Sequence, residues 1–170
     1  MQTCIPSGIC ALKLMQLTQF TDYALRTLVY LHHRQASGAR TSIAEIADYY
    51  GVSRHHLIRV AGRLRDHGYI RMIRGRNGGL ELAMAAEDII IGRVVRQTEP
   101  DFHLVECFDQ AHDHCVISRQ CQLKSALYQA RSAFLEVLDR YSLATAGMIG
   151  LMPNAQMPAP SAKTSLRNMA

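Results

Sequence analysis

The segment from Ser42 to Leu82 constrains the fold of this chain more than any other part of it. Ser42, with Glu45 three positions on, has the form of a capping box, which starts a helix by satisfying its first free N–H groups. Ile43, Ile46 and Ala47 then recur at helical spacing, and Gly51 ends the run. Ser53 caps a further helix on which Leu57, Val60, Ala61 and Leu64 form an apolar stripe, and Gly68 stops it. Two short helices joined by a tight glycine turn predict a helix-turn-helix. Ile70 and Met72, followed by Leu80 and Leu82, alternate around Asn77-Gly78 and predict a β-hairpin. A helix-turn-helix that runs straight into a hairpin is a winged helix, so the expected class is mainly α with a small β-hairpin wing.

The flanks extend this unit. Thr18 can cap a helix with Phe20, Ala24, Leu28 and Leu31 on one face, broken by the segment Gln35–Arg40. The stretch from Ala86 to Glu99 looks helical and ends before Pro100. From Leu123 to about Ala144 a long amphipathic helix is predicted, with Leu123, Leu127, Ala130, Phe134 and Leu138 on one stripe. Met15 opens a far clearer pattern than residues 1–14, so it is read as the natural start, with a disordered leader whose Cys4 and Cys10 are incidental. The expected organisation is therefore a winged helix-turn-helix domain over 15–84, a connecting helix over 85–100 and a Cys/His-rich loop over 101–122. A long C-terminal helix over 123–145 and a disordered tail over 146–170, with Pro153, Pro158 and Pro160, complete it.

Charge is informative here only through its placement. A net charge of +5 suits a polyanionic partner but is common among proteins of every function. His55, Arg59 and Arg63 recur at helical spacing opposite the apolar stripe of the second helix, with Ser53, Arg54 and His56 at its start. Arg71, Arg74, Arg76 and Asn77 lie on the wing. A helix that enters the major groove reads bases near its N-terminus and holds phosphates with flanking cations, and arginine serves both purposes. A solvated basic face would explain three cations on a helix equally well. Helix-turn-helix, wing and clustered charge together favour double-stranded DNA. No stretch has the apolar length of a membrane span, and the N-terminus is a poor secretory signal, so a cytoplasmic protein is expected. No Ser/His/Asp set, phosphate loop or paired-carboxylate site suggests an enzyme.

Reduced thiols in that compartment act as metal ligands, redox sensors or inert core residues. Cys107, Cys115 and Cys121 follow the pattern C-x7-C-x5-C in ECFDQAHDHCVISRQC. Thiolates suit an iron–sulfur cluster or zinc. His103, His112 and His114 are close in sequence, so zinc on three cysteines and one histidine competes with a cluster, and three metal-free thiols are a further possibility.

The runs LTQFTDYALRTLVYL, SIAEIADYYGVSRHHLIRVAGRLRDHGYI, RGRNGGLELA and CVISRQCQLK, in that order, resemble the NsrR nitric-oxide-sensing repressors. These belong with IscR to one group of bacterial winged-helix regulators. The resemblance covers about Met15 to Ala144. It implies a homodimer paired through the long helix, a palindromic operator, nitric oxide as signal and an iron–sulfur cluster (2Fe-2S or 4Fe-4S) on Cys107, Cys115 and Cys121. In this family an aspartate of the first helix can complete the cluster across the dimer, and the matching position is Asp22. An acid there is also favoured by the helix dipole and by pairing with Arg26. In IscR-like members a histidine three residues after the third cysteine is the fourth ligand. Lys124 stands there instead, and the gap between the first two cysteines is longer than the family suggests, which keeps His112 and His114 open as ligands. Alternatives are an IscR-type regulator of iron–sulfur or redox status, a zinc-stapled dimeric adaptor that does not bind DNA, and a small electron carrier.

Overall fold

The computed structural model describes residues 16–35, 40–75 and 78–147. The leader 1–14 with Cys4 and Cys10, Met15, and all of the expected tail beyond Gly147 lie outside the described residues. The elements run α1 (Gln19–Gln35), α2 (Ile43–Tyr50), α3 (Arg54–Asp66), β1 (Ile70–Ile73), β2 (Gly79–Leu82), α4 (Ile91–Thr98), α5 (Gln122–Asp139) and α6 (Leu143–Ala146). Short 3-10 turns at Glu106–Phe108 and Ser118–Gln120 interrupt the loop between α4 and α5. None of the described helices is long and apolar enough to cross a membrane.

The helix ends explain the boundaries. Thr18 caps α1 by accepting from Thr21 N–H at 3.3 Å, and its own N–H donates to Glu99 Oε1 at 2.7 Å, which ties the start of α1 to the end of α4. Ser42 accepts from Glu45 N–H at 3.1 Å. The capping box is not reciprocal, however. The Glu45 carboxylate turns to α1, where it accepts from the Tyr30 hydroxyl at 3.0 Å and pairs with Arg34 at 3.1 Å. Burial, then the Glu45 hydrogen bond, pushes the Tyr30 hydroxyl up to about 12, so it stays a donor. Gly51 closes α2 at φ 65°, a left-handed conformation that glycine adopts without strain. Ser53 stands at the start of α3 in extended backbone, but its side chain makes no capping bond. At the far end Tyr69 N–H reaches Leu64 O and Gly68 N–H reaches Arg65 O, a Schellman ending with Gly68 at φ 77°.

The core collects one face from each element. Ala24, Leu28 and Leu31 of α1 meet Leu57, Val60, Ala61 and Leu64 of α3, with Ile46, Ile70, Leu80, Leu82, Val94 and Val95 around them, all buried. Burying each large aliphatic side chain is worth about 1.5–3 kcal/mol, which outweighs the weak propensity of such short helices. The hairpin pairs Ile70 with Leu82 and Ile73 with Gly79, leaving 74–78 as the turn. Thr41 adds a bridge to Leu80 on the other side of β2.

Two helices depart from the expected bounds. Residues 86–88 form a turn, Ile90 makes a β-bridge, and α4 begins only at Ile91. The long helix stops at Asp139 because the chain must return to the core: Ser142 bridges Ile90, and a Ser142–Thr145 capping box starts α6. Leu138 consequently packs against the core and leaves the outward stripe, which continues through Val137. Arg96 of α4 holds Asp139 of α5, with Nη2 at 2.7 Å from Oδ2, and Gly92 lets the two helices touch. A side chain at Gly92 would meet the Asp139 carboxylate and stand 2.9 Å from its backbone nitrogen. Gly92→Ala should therefore lower unfolding free energy by about 1–3 kcal/mol, read as a lower denaturation midpoint in urea, since overpacking forces backbone to shift.

Candidate nucleic-acid interface and cysteine loop

Because α3 buries Leu57, Val60, Ala61 and Leu64, its other face is compelled outward. Ser53, Arg54, His55, His56, Arg59 and Arg63 are all exposed on it. Arg71 on β1 and Arg74 in the turn are exposed as well, while Arg76 and Asn77 lie outside the described residues. These cations are not equally available. Arg54 is paired with Asp48 at 3.2 Å and Arg71 with Glu81 at 3.3 Å. Among the described residues no carboxylate pairs with Arg59, Arg63 or Arg74. His56 stacks on Tyr23 of α1 with ring centroids 6.3 Å apart. Beside that stack Gln19, Phe20, Tyr23, His56, Arg59 and Val60 line a cavity of about 160 Å³, so the start of α1 abuts the exposed basic face of α3.

The cysteine loop hangs between α4 and α5. Cys107 sits half-buried in the first 3-10 turn, Cys115 is exposed, and Cys121 is half-buried at the start of α5; all are free thiols. Cys121 Sγ accepts from Lys124 N–H at 3.4 Å, so this sulfur caps the first turn of α5. His112 Nδ1 is bonded to Asp109 Oδ2 at 2.7 Å, and this bond, then the Ala111 N–H, holds the Asp109 carboxyl below the usual carboxylate range. His103 and His114 are exposed; the His114 N–H donates to Glu106 at 3.3 Å.

Asp22, the residue expected across a dimer, is held by Arg26 through both carboxylate oxygens, at 2.9 Å each. Arg26 in turn lies 5.6 Å over the Tyr50 ring of α2. Among the described residues of one chain, no three His, Cys, Asp or Glu side chains come together as a set that could hold a metal ion. The donor chemistry nevertheless fits an iron–sulfur group: free, soft thiols on one loop, one of them poised at a helix N-terminus.

Sequence reasoning did not find the contacts that seat this loop on α5. Phe108 is buried and stacks on Tyr128 with centroids 4.0 Å apart, and Arg131 lies 4.6 Å over the Tyr128 ring. Asp113 binds Ser118 and Lys124, the latter at 3.2 Å. Cys121, Lys124, Tyr128 and Arg131 recur at three- and four-residue spacing, a helical row that could have been searched for in the sequence.

Winged helix, exposed basic helix and helical extension together make the architecture of a transcription regulator. The sequence profile of the Rrf2 family, described as an iron-dependent transcriptional regulator, matches residues 17–146, and the chain belongs to that family. It is of the NsrR type. The HTH-type transcriptional regulator NsrR of Bacillus subtilis is 50% identical over 76% of this chain and 88% of that protein. The Bacillus licheniformis regulator of the same name is 49% identical over 76% of this chain and 90% of that protein. In three dimensions CymR (YrzC), the global cysteine regulator of B. subtilis, superposes with a TM-score of 0.64 at 26% identity, covering 79% of this chain and 97% of CymR.

Arg59→Ala should weaken binding to a specific operator by about 1–3 kcal/mol and relax base preference, because Arg59 is uncommitted and central on α3. Arg71→Ala should cost less, since Glu81 already neutralises Arg71. Fluorescence anisotropy on matched and scrambled duplexes separates the two effects.

Proposed function

We propose that this chain is a homodimeric repressor whose operator affinity is governed by an iron–sulfur cluster that reacts with nitric oxide. The observation that carries the proposal is the extent of the family match. One profile described as iron-dependent spans α3, the wing and all of Cys107, Cys115 and Cys121. A bound cluster supplies iron atoms that nitric oxide can ligate. The proposed ligands are the thiolates of Cys107, Cys115 and Cys121, with Asp22 of a second copy completing the set and His112 or His114 as alternatives.

The remaining parts are the chain's own. Homodimer formation is supported by α5, an 18-residue helix with no buried residue. Leu123, Leu127, Ala130, Phe134 and Val137 recur along it at alternating four- and three-residue steps, and Leu123, Phe134 and Val137 are exposed. That spacing is the seam of a paired helix. Two copies would set two α3 helices about one helical turn of DNA apart, on a palindromic site.

Asp22 supplies the link to DNA. Engaging it as a ligand requires it to leave Arg26, which is stacked on Tyr50 of α2. Tyr23, the next residue, holds His56 of α3. A change at Asp22 therefore reaches both helices of the helix-turn-helix. Arg54, His55, Arg59, Arg63, Arg71 and Arg74, with Ser53, His56, Arg76 and Asn77, are the proposed DNA contacts, and the proposed location is the cytoplasm, whose reducing conditions suit ligating thiols.

Anaerobic purification should give a coloured protein with iron and sulfide in equal amounts, measured by absorbance and chemical assay. Cys121→Ser should lose the colour and most of the operator affinity. A colourless wild-type protein containing zinc alone would sink the cluster and favour a stapled adaptor.

A further inference from the structure

We infer that Asp113, Ser118 and Lys124 form a latch that fixes the Cys115 turn to the first turn of α5 whether or not a cluster is bound. Lys124 thereby acts as a positioning residue. The inference rests on the proposed cluster site for its purpose, but not for its geometry.

The Asp113 carboxylate is the hub. It accepts from the backbone N–H of Cys115 at 3.1 Å, from the Ser118 hydroxyl, and from Lys124 Nζ at 3.2 Å. Lys124 Nζ also donates to Ser118 Oγ, which closes a triangle of partners. Ser118 N–H returns to Cys115 O at 3.1 Å, so the turn from 113 to 118 is fastened at both ends. The ion pair is well shielded, with side-chain exposures of 22% for Lys124 and 18% for Asp113, unlike the open Asp22–Arg26 pair at 42% and 46%. Screening by water is correspondingly weaker.

Lys124 lies one turn along α5 from Cys121 and donates its own backbone N–H to that thiol. One residue thus contacts the third cysteine through its backbone and fastens the second through its side chain. The other end of the loop is pinned independently, by Phe108 on Tyr128 beside Cys107. All three thiols are therefore tethered to one row of α5 by contacts that use no metal. Such a loop stays anchored to α5 without metal, and although its three thiols do not converge in the single chain, anchoring shortens the chain that must be ordered when a cluster assembles.

The test is backbone amide exchange in metal-free protein, read at Cys115. Lys124→Met and Asp113→Asn should each speed exchange there by about tenfold, while exchange in α3 and the melting temperature stay at wild-type values. Lys124→Arg, which keeps a cation in reach, should restore slow exchange. The double variant Lys124→Met/Asp113→Asn should exchange no faster than the faster single variant, because both break one unit. Wild-type exchange in Lys124→Met, or fully multiplicative effects in the double variant, would overturn the latch. In loaded protein, Lys124→Met should also lose its absorbance to an iron chelator several-fold faster. A colourless wild type would refute the cluster, yet the exchange measurement would still decide the latch.

Discussion

Burial of one stripe of α3 against α1 sets what the rest of the molecule can do. Leu57, Val60, Ala61 and Leu64 have no exposed face, so the side chains between them must point to solvent. The exposed cations of α3 are thus placed by the core and not by one another. The same contact makes α1 the natural reporter of any event at its own start. Tyr23 touches His56, and the cavity beside them is lined by residues of both helices. A shift of α1 by a fraction of its diameter must move α3, because packed interiors have little slack.

The opposite situation holds on α5. Its 18 residues include no buried one, although the helix carries three distinct rows. Leu135 and Leu138 face the core. Cys121, Lys124, Tyr128 and Arg131 carry the loop. The third row, Leu123 to Val137, faces solvent in the single chain. A large apolar stripe in that position is a liability unless a partner covers it, and its heptad spacing suits an identical helix. The cysteine loop would then sit at one end of the dimer seam.

Much of this was legible in the sequence where local chemistry dominates. Gly51 and Gly68 end their helices because their left-handed backbone is dictated locally, and the apolar period of α1, α2 and α3 named the core. Long-range demands were not legible. Glu45 gives up half of a capping box because Tyr30 and Arg34, distant in sequence, compete for its carboxylate. The long helix ends at Asp139 because Arg96 and the Ile90–Ser142 bridge draw the chain back. The cysteines were found by spacing, but Asp113 and Lys124 had no local signal connecting them across the loop. Nor does local sequence decide between the roles open to Asp22, which in the single chain is held by Arg26.

The central claim is that one reaction on the cysteine loop is felt at α3. It is tested most directly by titrating the cluster-loaded dimer, bound to its operator, with nitric oxide under anaerobic conditions while operator affinity and visible absorbance are followed together. The account predicts that affinity falls by at least about a hundredfold, equivalent to a few kcal/mol of coupling, in step with the spectral change. An operator affinity that holds constant while the spectrum changes would contradict it.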